Sequence, residues 1–202
     1  SNQNAFVLEC FIDELAKAAE RDPLDFRRAL MKSHPRHLAV LMAAAERAGW
    51  GDPVAEGARS RGIAQTMAYG SHTAAVAEAS VDPDGAVRVH RIVIAVDSGL
   101  VANPALVTAQ VEGSVAFALS SLFHEEITIR QGQVVEANFD AYGVLRMKGM
   151  PKVDVVLMPS GESWGGIGSA CVAVVAPAVA NAIFAASGKR IRQLPLKNAR
   201  VI

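Results

Sequence analysis

Helical periodicity dominates the first quarter of the chain. Residues 2–20 predict an amphipathic helix, and the stripe expected to be buried consists of Leu8, Phe11, Ile12, Leu15, Ala16 and Ala19. Pro23 ends this helix, because proline disfavours a helical conformation in the residue before it, and it suits the first turn of a following helix. Two more helices are predicted over residues 23–31 and 35–48, with Gly49 and Gly51 as the stop.

The pattern changes to strands after Gly51. Residues 62–81 are rich in small and β-branched residues and predict two strands or one long bent strand. Asn103 and Pro104 are typical of a helix start, as a cap and a first-turn residue. The remaining predicted elements are a turn at 82–85, a strand over 87–96, a helix from Asn103 to about 122, a hairpin around 127–135, a strand over 153–158 and a helix over 177–187.

These elements predict an α+β fold, because helical periodicity is followed by strand periodicity with two packed helices. A helical part, residues 1–55, is expected to continue from an upstream segment. A mixed α+β part, residues 56–202, is expected to follow it. The chain lacks an initiating Met, and its first residues are typical of an internal start, so a fragment or a processed chain is expected.

Composition narrows the possible classes of function. Twenty basic residues balance twenty acidic ones, so there is no basic excess to favour nucleic acid as a partner. No stretch suggests a membrane span or a signal peptide, and the compartment is left open as soluble, cytoplasmic or periplasmic. Cys10 and Cys171 are too few for a zinc site and are predicted to be buried thiols. His34 and His37 are predicted to lie on solvated turns without a metal.

The stretch from residue 163 to 169 contains three glycines within four positions, Gly165, Gly166 and Gly168. Glycine allows a ligand to approach the main chain closely, and a glycine turn that opens a helix presents N–H groups that favour anions. The same pattern is typical of a plain turn between a strand and a helix. It lacks the third spaced glycine of a dinucleotide fingerprint and the lysine of a phosphate loop.

Ten short motifs follow one another along residues 1–196. They are SNQNAF at 1–6, FIDELA at 11–16, DP at 22–23, FR at 26–27, VDSG at 96–99, NP at 103–104, QVEG at 110–113, NFDAY at 138–142, LRM at 145–147 and APAVANAIFAASGKRIR at 176–192. In this order and spacing they resemble the C-terminal part of the large subunit of molybdenum hydroxylases, the xanthine dehydrogenase and aldehyde oxidoreductase superfamily. The resemblance is greatest to the isoquinoline 1-oxidoreductase beta-subunit type.

The resemblance implies a molybdopterin cofactor in the complete assembly, and hydroxylation of an aldehyde or N-heteroaromatic substrate with oxygen from water. It implies cofactor-binding roles for Gln110, Gly166, Ile167, Gly168 and Ser169, and no protein ligand to the metal. Ser169 stands where the family has the glutamate that acts as base. The implied partners are the missing N-terminal half of the large subunit, an iron–sulfur electron-transfer subunit and a small-molecule substrate. The chain alone is expected to bind no cofactor.

Two departures from the family pattern leave other functions open. Serine does not accept a proton as a carboxylate does, and residues 170–174 form an apolar run where the family has a proline-rich turn. One alternative is therefore a catalytically silent homologue that serves as an assembly or interaction module. Another is a hydrolase with Ser169, Cys171 or Ser1 as nucleophile, although such a nucleophile needs an adjacent base and no His is near them in sequence.

Overall fold

A computed structural model describes residues 2–54 and 59–196, and it has the predicted α+β architecture. The helices are α1 Asn2–Ala18, α2 Pro23–Leu30, α3 Pro35–Ala48, α4 Pro104–Phe123 and α5 Val172–Ser187. The strands are β1 Arg59–Ala68, β2 Ser71–Val81, β3 Val87–Asp97, β4 Ile129–Arg130, β5 Gln133–Val134 and β6 Lys152–Leu157, and a short 3-10 turn spans Met147–Gly149. The predicted division near residue 55 lies outside the described residues.

The main sheet has the strand order β1-β2-β3-β6. The first three strands are antiparallel neighbours, and β6 adds in parallel beside β3, with Ile94 opposite Val155. A parallel pair needs a crossover connection, which α4 and the small β4–β5 hairpin supply here. The loops that follow β3 and β6 therefore leave the sheet at the same edge.

Helices cover both faces of the sheet. On one face, α3 and Leu24 of α2 pack against Ile63, Val76 and Val93. On the other face, α4 and α5 pack against the residues that alternate with these, among them Ile92 and Ile94. Residues that alternate along a strand point to opposite faces, so the continuous apolar run of β3 is covered on both sides as expected.

Gly62 allows α5 to pack directly against the backbone of β1. A Cβ atom at this position would lie 2.1 Å from the backbone nitrogen of Ala182 and 2.4 Å from the carbonyl oxygen of Ala178. These distances are far below van der Waals contact, and both atoms belong to a helix backbone that cannot rotate away. Glycine at 62 therefore sets how closely the last helix approaches the sheet.

The predicted apolar stripe of α1 is mostly exposed, although Ala16 within it is buried and Ile12 is half-buried. Leu8, Phe11 and Leu15 are 41–56% exposed, whereas Glu9 and Asp13 are buried on the opposite face. Glu9 accepts a hydrogen bond from Nε of Arg27 at 2.8 Å, and Asp13 accepts one from Nη1 of Arg190 at 2.6 Å. Because charged residues pack inward only when they are paired, ion pairs with distant arginines decided which face of this helix is buried.

The last helix begins five residues earlier than predicted. It starts at Val172, so the apolar run after the glycine loop is helical, and Pro177 lies inside the helix. Proline in a helix interior removes one backbone hydrogen bond and is normally unfavourable. Here the helix is almost wholly buried against the sheet and α4, including Val174, Val175 and Val179. Burial of this apolar surface outweighs the local preference at Pro177.

Helix α4 corrects the expectation that no segment reaches the length of a membrane span. It has 20 residues, which is long enough to cross a membrane, and its mean hydropathy of 1.4 over the most apolar window is typical of a membrane span. Within that window, 39% is buried in the protein, including Val111, Val115 and Leu119. Core helices of globular proteins meet the same criteria, so this feature is weak support for membrane insertion.

Candidate functional site

The glycine loop runs between β6 and α5 and is tied to two other turns of the chain. The N–H of Gly165 donates to the carbonyl oxygen of Ser98 at 2.8 Å, and the N–H of Gly166 donates to that of Tyr69 at 2.8 Å. The hydroxyl of Ser71 donates to the carbonyl oxygen of Gly166, also at 2.8 Å. These two amides are therefore engaged inside the protein, and they are not the anion donors that the sequence pattern suggested.

The glycines of the loop are not equivalent. A Cβ atom on Gly165 would lie 2.3 Å from Oγ of Ser71 and 2.9 Å from the backbone of Gly70. A Cβ atom on Gly168 would meet nothing within 4 Å. Close packing therefore requires glycine at 165, whereas the space beside Gly168 is open and Gly168 itself is exposed.

We expect Gly165→Ala to destabilise the chain by about 1–3 kcal/mol, because overpacking displaces backbone and side chains. Ser71 could rotate away from the new methyl group only by losing its hydrogen bond to Gly166. The matched control is Gly168→Ala, expected to change stability by less than about 1 kcal/mol. Urea unfolding of the two variants tests this, and an equal loss in both would contradict the assignment.

The predicted catalytic position, Ser169, is exposed at the start of the turn that leads into α5. Its carbonyl oxygen accepts a hydrogen bond from the N–H of Val172 at 3.2 Å. Within residues 2–54 and 59–196, no hydrogen bond joins the Ser169 hydroxyl to a histidine, a carboxylate or a lysine. Ile167, in contrast, is half-buried against the apolar core. Ser169 therefore lacks the neighbouring base that would activate it as a nucleophile.

Gln110 is exposed on α4, a helix that Asn103 caps by accepting a hydrogen bond from the N–H of Leu106 at 3.2 Å. In the described part of the chain no hydrogen bond connects the Gln110 side chain to the glycine loop. The predicted cofactor residues therefore lie on two separate elements, α4 and the loop before α5. Their assignment to a cofactor stays a prediction.

Asp97, at the end of β3, is the most strongly connected carboxylate near the loop. It accepts hydrogen bonds from Nε of Arg36 at 2.6 Å, from the hydroxyl of Ser160 at 2.7 Å and from the N–H of Gly99 at 2.9 Å. Burial raises the pKa of Asp97, but the hydrogen bonds from Arg36, Gly99 and Ser160 outweigh it and lower the pKa to about 2. This network joins α3 to the turns after β3 and β6.

Neither Asp97 nor Arg36 is recognisable as a site residue from the sequence alone. The two residues are 61 positions apart, and only the packing of α3 on the sheet brings them together. The only local signal was the polar Asp97 and Ser98 at the end of a buried apolar strand, where turns of a parallel pair meet.

The low pKa of Asp97 predicts a specific dependence of stability on pH. A carboxyl whose pKa is depressed by folding contributes stability above its unfolded pKa, about 3.9, and loses it as the pH falls through its folded value, about 2. We expect Asp97→Asn to be less stable than the parent chain at pH 6, and the difference to shrink between pH 4 and 2. Urea unfolding across this range tests it; a constant difference would contradict it.

The structure argues against Cys171 as a nucleophile and changes the predicted position of His37. Cys171 is completely buried, and burial raises its pKa to about 12, so its thiol does not serve as a nucleophile. Cys10 is also a buried free thiol, as predicted. Ser1 lies outside the described residues.

His37 is not on a solvated turn: it is half-buried in α3 and hydrogen-bonded to Oε1 of Gln65 at 2.9 Å.

The part of the chain that the structure describes contains no group of three or more His, Cys, Asp or Glu side chains placed to hold a metal ion. The site is thus defined by a strand edge, a glycine loop and exposed neutral polar groups. Such a site suits an organic ligand that is held by hydrogen bonds.

Comparison with known proteins identifies the class. Residues 12–151 match the family model described as the molybdopterin cofactor-binding domain. The chain belongs to this family, which confirms the resemblance drawn from the short motifs.

Several relatives are similar over almost the whole chain. The sequence is 32% identical to the beta subunit of isoquinoline 1-oxidoreductase from Brevundimonas diminuta, covering 98% of this chain and 26% of that protein. It is 36% identical to a nicotinate dehydrogenase subunit from Pseudomonas putida, covering 98% of this chain and 18% of that protein. It is 33% identical to a membrane-bound aldehyde dehydrogenase of Gluconacetobacter polyoxogenes, covering 96% of this chain and 28% of that protein. The chain thus spans less than a third of the length of each of these relatives.

Solved structures support the fold. Quinoline 2-oxidoreductase from Pseudomonas putida 86 superposes with a TM-score of 0.58 at 22% identity, over 65% of this chain and 18% of that one. The aldehyde oxidoreductase from Desulfovibrio desulfuricans gives a TM-score of 0.57 at 21% identity, over 65% of this chain and 15% of that one. At this identity the likeness concerns the fold alone, and it confirms the predicted α+β class.

Proposed function

We propose that this chain is the cofactor-binding C-terminal part of a molybdenum hydroxylase large subunit. In the complete assembly it would help to oxidise an aldehyde or an N-heteroaromatic compound with oxygen from water. The observation that carries the proposal is the family match over residues 12–151, together with an exposed glycine loop that follows the strand edge. The similarity to subunits of isoquinoline 1-oxidoreductase and nicotinate dehydrogenase supports the substrate class.

The residues present fit a molybdopterin. Gln110 offers a side-chain amide that both donates and accepts hydrogen bonds, and Ser169 offers a hydroxyl, both exposed to a ligand. The space beside Gly168 is open, so a flat ring can approach the backbone there. We assign Gln110, Gly166, Ile167, Gly168 and Ser169 to holding the cofactor. When bound, the molybdenum cofactor supplies the two-electron oxidation chemistry.

The residues of this chain do not supply a catalytic base. Ser169 has no proton-accepting group bonded to it among the described residues, and a hydroxyl alone is not basic at neutral pH. This observation favours a second candidate function, a silent homologue that keeps the fold as an assembly or interaction module. In both cases the chain works only with other polypeptides.

The surface of α1 supports a protein partner. Val7, Leu8, Phe11 and Leu15 lie on one side of this helix and are 41–67% exposed, while buried ion pairs hold its other side. A row of large exposed apolar side chains is typical of an interaction site. We propose the remainder of the large subunit as the main partner, with an iron–sulfur electron-transfer subunit and a small-molecule substrate in the complete assembly.

Metal and turnover measurements on the complete assembly test the proposal. Stoichiometric molybdenum with oxidation of an aldehyde or N-heteroaromatic substrate would support the enzyme. Molybdenum without turnover, or an assembly that lacks molybdenum but still forms, would support the silent homologue. A chain that enters no larger assembly would contradict both.

We further expect the 202-residue chain on its own to carry no molybdenum. The chain spans 26% and 18% of the length of two of its relatives, and the resemblance implies that other parts of such a subunit also hold the cofactor. Elemental analysis of the purified chain tests this expectation, with the complete assembly as the positive control. Stoichiometric molybdenum in the chain alone would show that residues of this chain are sufficient.

A further inference from the structure

The N-terminus of α3 is an uncapped helix end surrounded by basic side chains. His34 occupies the N-cap without a side-chain hydrogen bond to the helix, and the first turn has no acidic residue. The turn instead carries Arg36 and His37. Pro35 has no N–H, and the His34 N–H donates to the carbonyl oxygen of Met31 at 2.9 Å, so the first-turn amides that lack an intrahelical acceptor are those of Arg36 and His37. Together with the partial positive charge of a helix N-terminus, these two amides favour an anion.

Arg36 has one nitrogen left without an acceptor. A guanidinium commonly binds a carboxylate through two nitrogens. Asp97, however, accepts only from Nε of Arg36 at 2.6 Å, because its other oxygen is engaged by Ser160 at 2.7 Å and Gly99 at 2.9 Å. Nη2 of Arg36 is buried and has no hydrogen-bond partner among the described residues. A buried guanidinium nitrogen can only donate, so it calls for an acceptor from outside this network.

His72 is a second buried polar group with an unused nitrogen. It is 9% exposed, and its Nδ1 has no partner in the described structure. Its ring lies edge-on to the ring of His37, with centroids 4.5 Å apart, and its backbone pairs with Asp97 across the sheet. His72 therefore sits beside the first turn of α3, next to the Arg36–Asp97 pair.

The groups around this point include one further carboxylate, Glu162, which lies close enough to Arg36 to raise its pKa. His37 donates through Nδ1 to Oε1 of Gln65 at 2.9 Å, which fixes the orientation of its ring. A cavity of about 340 Å³ adjoins Arg36, lined by Pro35, Ala39, Val40, Asp97, Met158, Pro159 and Ser160. That volume is ample for a small oxyanion.

We propose that the N-terminus of α3 forms a binding site for an oxyanion of the phosphate and sulfate class, with two buried nitrogen atoms, Nη2 of Arg36 and Nδ1 of His72, as its donors. The anion would accept from Nη2 of Arg36, from the His72 ring and from the free first-turn amides. An anion suits this set better than water does, because the helix end, the guanidinium and an imidazole N–H all donate hydrogen bonds, and the first two also attract negative charge.

Binding at this site is coupled to protonation of His72. The charged and titratable groups that face it are His34, Arg36 and His37 on α3, His72 on β2 and Asp97 on β3, with Glu162 near Arg36. Burial lowers the pKa of His72, with His37 and Arg36 adding to the effect, and so favours the neutral ring. A bound anion favours the protonated ring, and affinity should rise as the pH falls.

Calorimetric titration of the full chain with sodium sulfate tests the proposal. Sulfate keeps its charge between pH 6 and 8, so any change in affinity over this range reports on the protein. We expect at least threefold tighter binding at pH 6 than at pH 8. Arg36→Lys keeps a cation beside Asp97 but removes Nη2, and His72→Phe keeps a ring but removes both nitrogens. Each is expected to weaken binding at least tenfold.

The matched control is His90→Phe, the same change on β3 at a histidine that is hydrogen-bonded to Ser80 instead; it should bind sulfate within twofold of the parent chain. Thermal melts without sulfate establish that each variant is folded, and His72→Phe decides the question if Arg36→Lys does not fold. Absent sulfate binding, or binding in both variants equal to that of the parent chain, would overturn the site. Titration with phenyl phosphate shows which kind of oxyanion the site accepts. If phenyl phosphate binds, the site can take the phosphate group of a larger molecule; if it does not bind although sulfate does, the site takes a free inorganic ion.

Discussion

Ser169→Glu is expected to raise turnover of the complete assembly on the order of 10²-fold or more if the proposed function is right, because it adds a carboxylate base at the position that the resemblance assigns to the family's glutamate. Ser169 is exposed in this chain, so the larger charged side chain meets no apolar core and should leave thermal stability nearly unchanged. Steady-state kinetics with an aldehyde or N-heteroaromatic substrate, before and after the substitution, measure the gain.

The matched control is Ser163→Glu, which adds the same charge to an exposed serine six positions earlier in the loop. It should not raise turnover, since the loop turns between the two positions. A gain with Ser163→Glu would point to a general electrostatic effect. Activity of the parent chain that already equals that of ordinary family members would contradict the assignment of the base to position 169. No gain from Ser169→Glu in a molybdenum-loaded assembly would favour the silent homologue.

Arg27→Met is expected to destabilise the chain by about 3–5 kcal/mol, because it leaves a buried carboxylate without its cation. Arg27 and Glu9 have side chains that are 0% and 1% exposed, with Nε and Oε2 2.8 Å apart. Nη2 of Arg27 also donates to the Glu9 carbonyl oxygen at 2.8 Å. Burial raises the pKa of Glu9 and Arg27 opposes this effect, so loss of Arg27 favours a protonated Glu9.

Denaturant unfolding measures this loss, and the neighbouring Arg28→Met is the control. Arg28 pairs with Asp25 at 2.9 Å, but both side chains are about half exposed, so its removal should change stability by less than about 1 kcal/mol. Adding Glu9→Gln to Arg27→Met should recover part of the loss, because it removes the charge and keeps an acceptor for the Gln65 N–H. A loss below about 1 kcal/mol in Arg27→Met would contradict this interpretation of the pair.

Helix ends show what local sequence predicts well. Asn103 caps α4 as expected, and α3 has the predicted bounds, followed by Gly49 in a left-handed conformation with a φ of 66°. Gly188 ends α5 with a φ of 75°. These features depend on hydrogen bonds between residues a few positions apart, so the nearby sequence contains most of the information.

Helix faces and the start of α5 show where such prediction fails. The apolar stripe of α1 points outward because Glu9 and Asp13 find arginines 18 and 177 residues away. Pro177 suggested a helix start, but the helix begins five residues earlier because most of its surroundings are apolar and buried. Periodicity shows that a helix is amphipathic; the partners that become available in the fold decide which side is covered.

The sequence by itself determined the family, the α+β class, the positions of most elements and the location of the glycine loop, since these follow from motif order and local periodicity. Only the tertiary structure decided that the amides of Gly165 and Gly166 bind the turns at Ser98 and Tyr69, and that Arg36, His72 and Asp97 meet at the start of α3. The reason is physical: hydrogen bonds and ion pairs between residues tens of positions apart depend on how sheet and helices pack, and no local pattern specifies that packing.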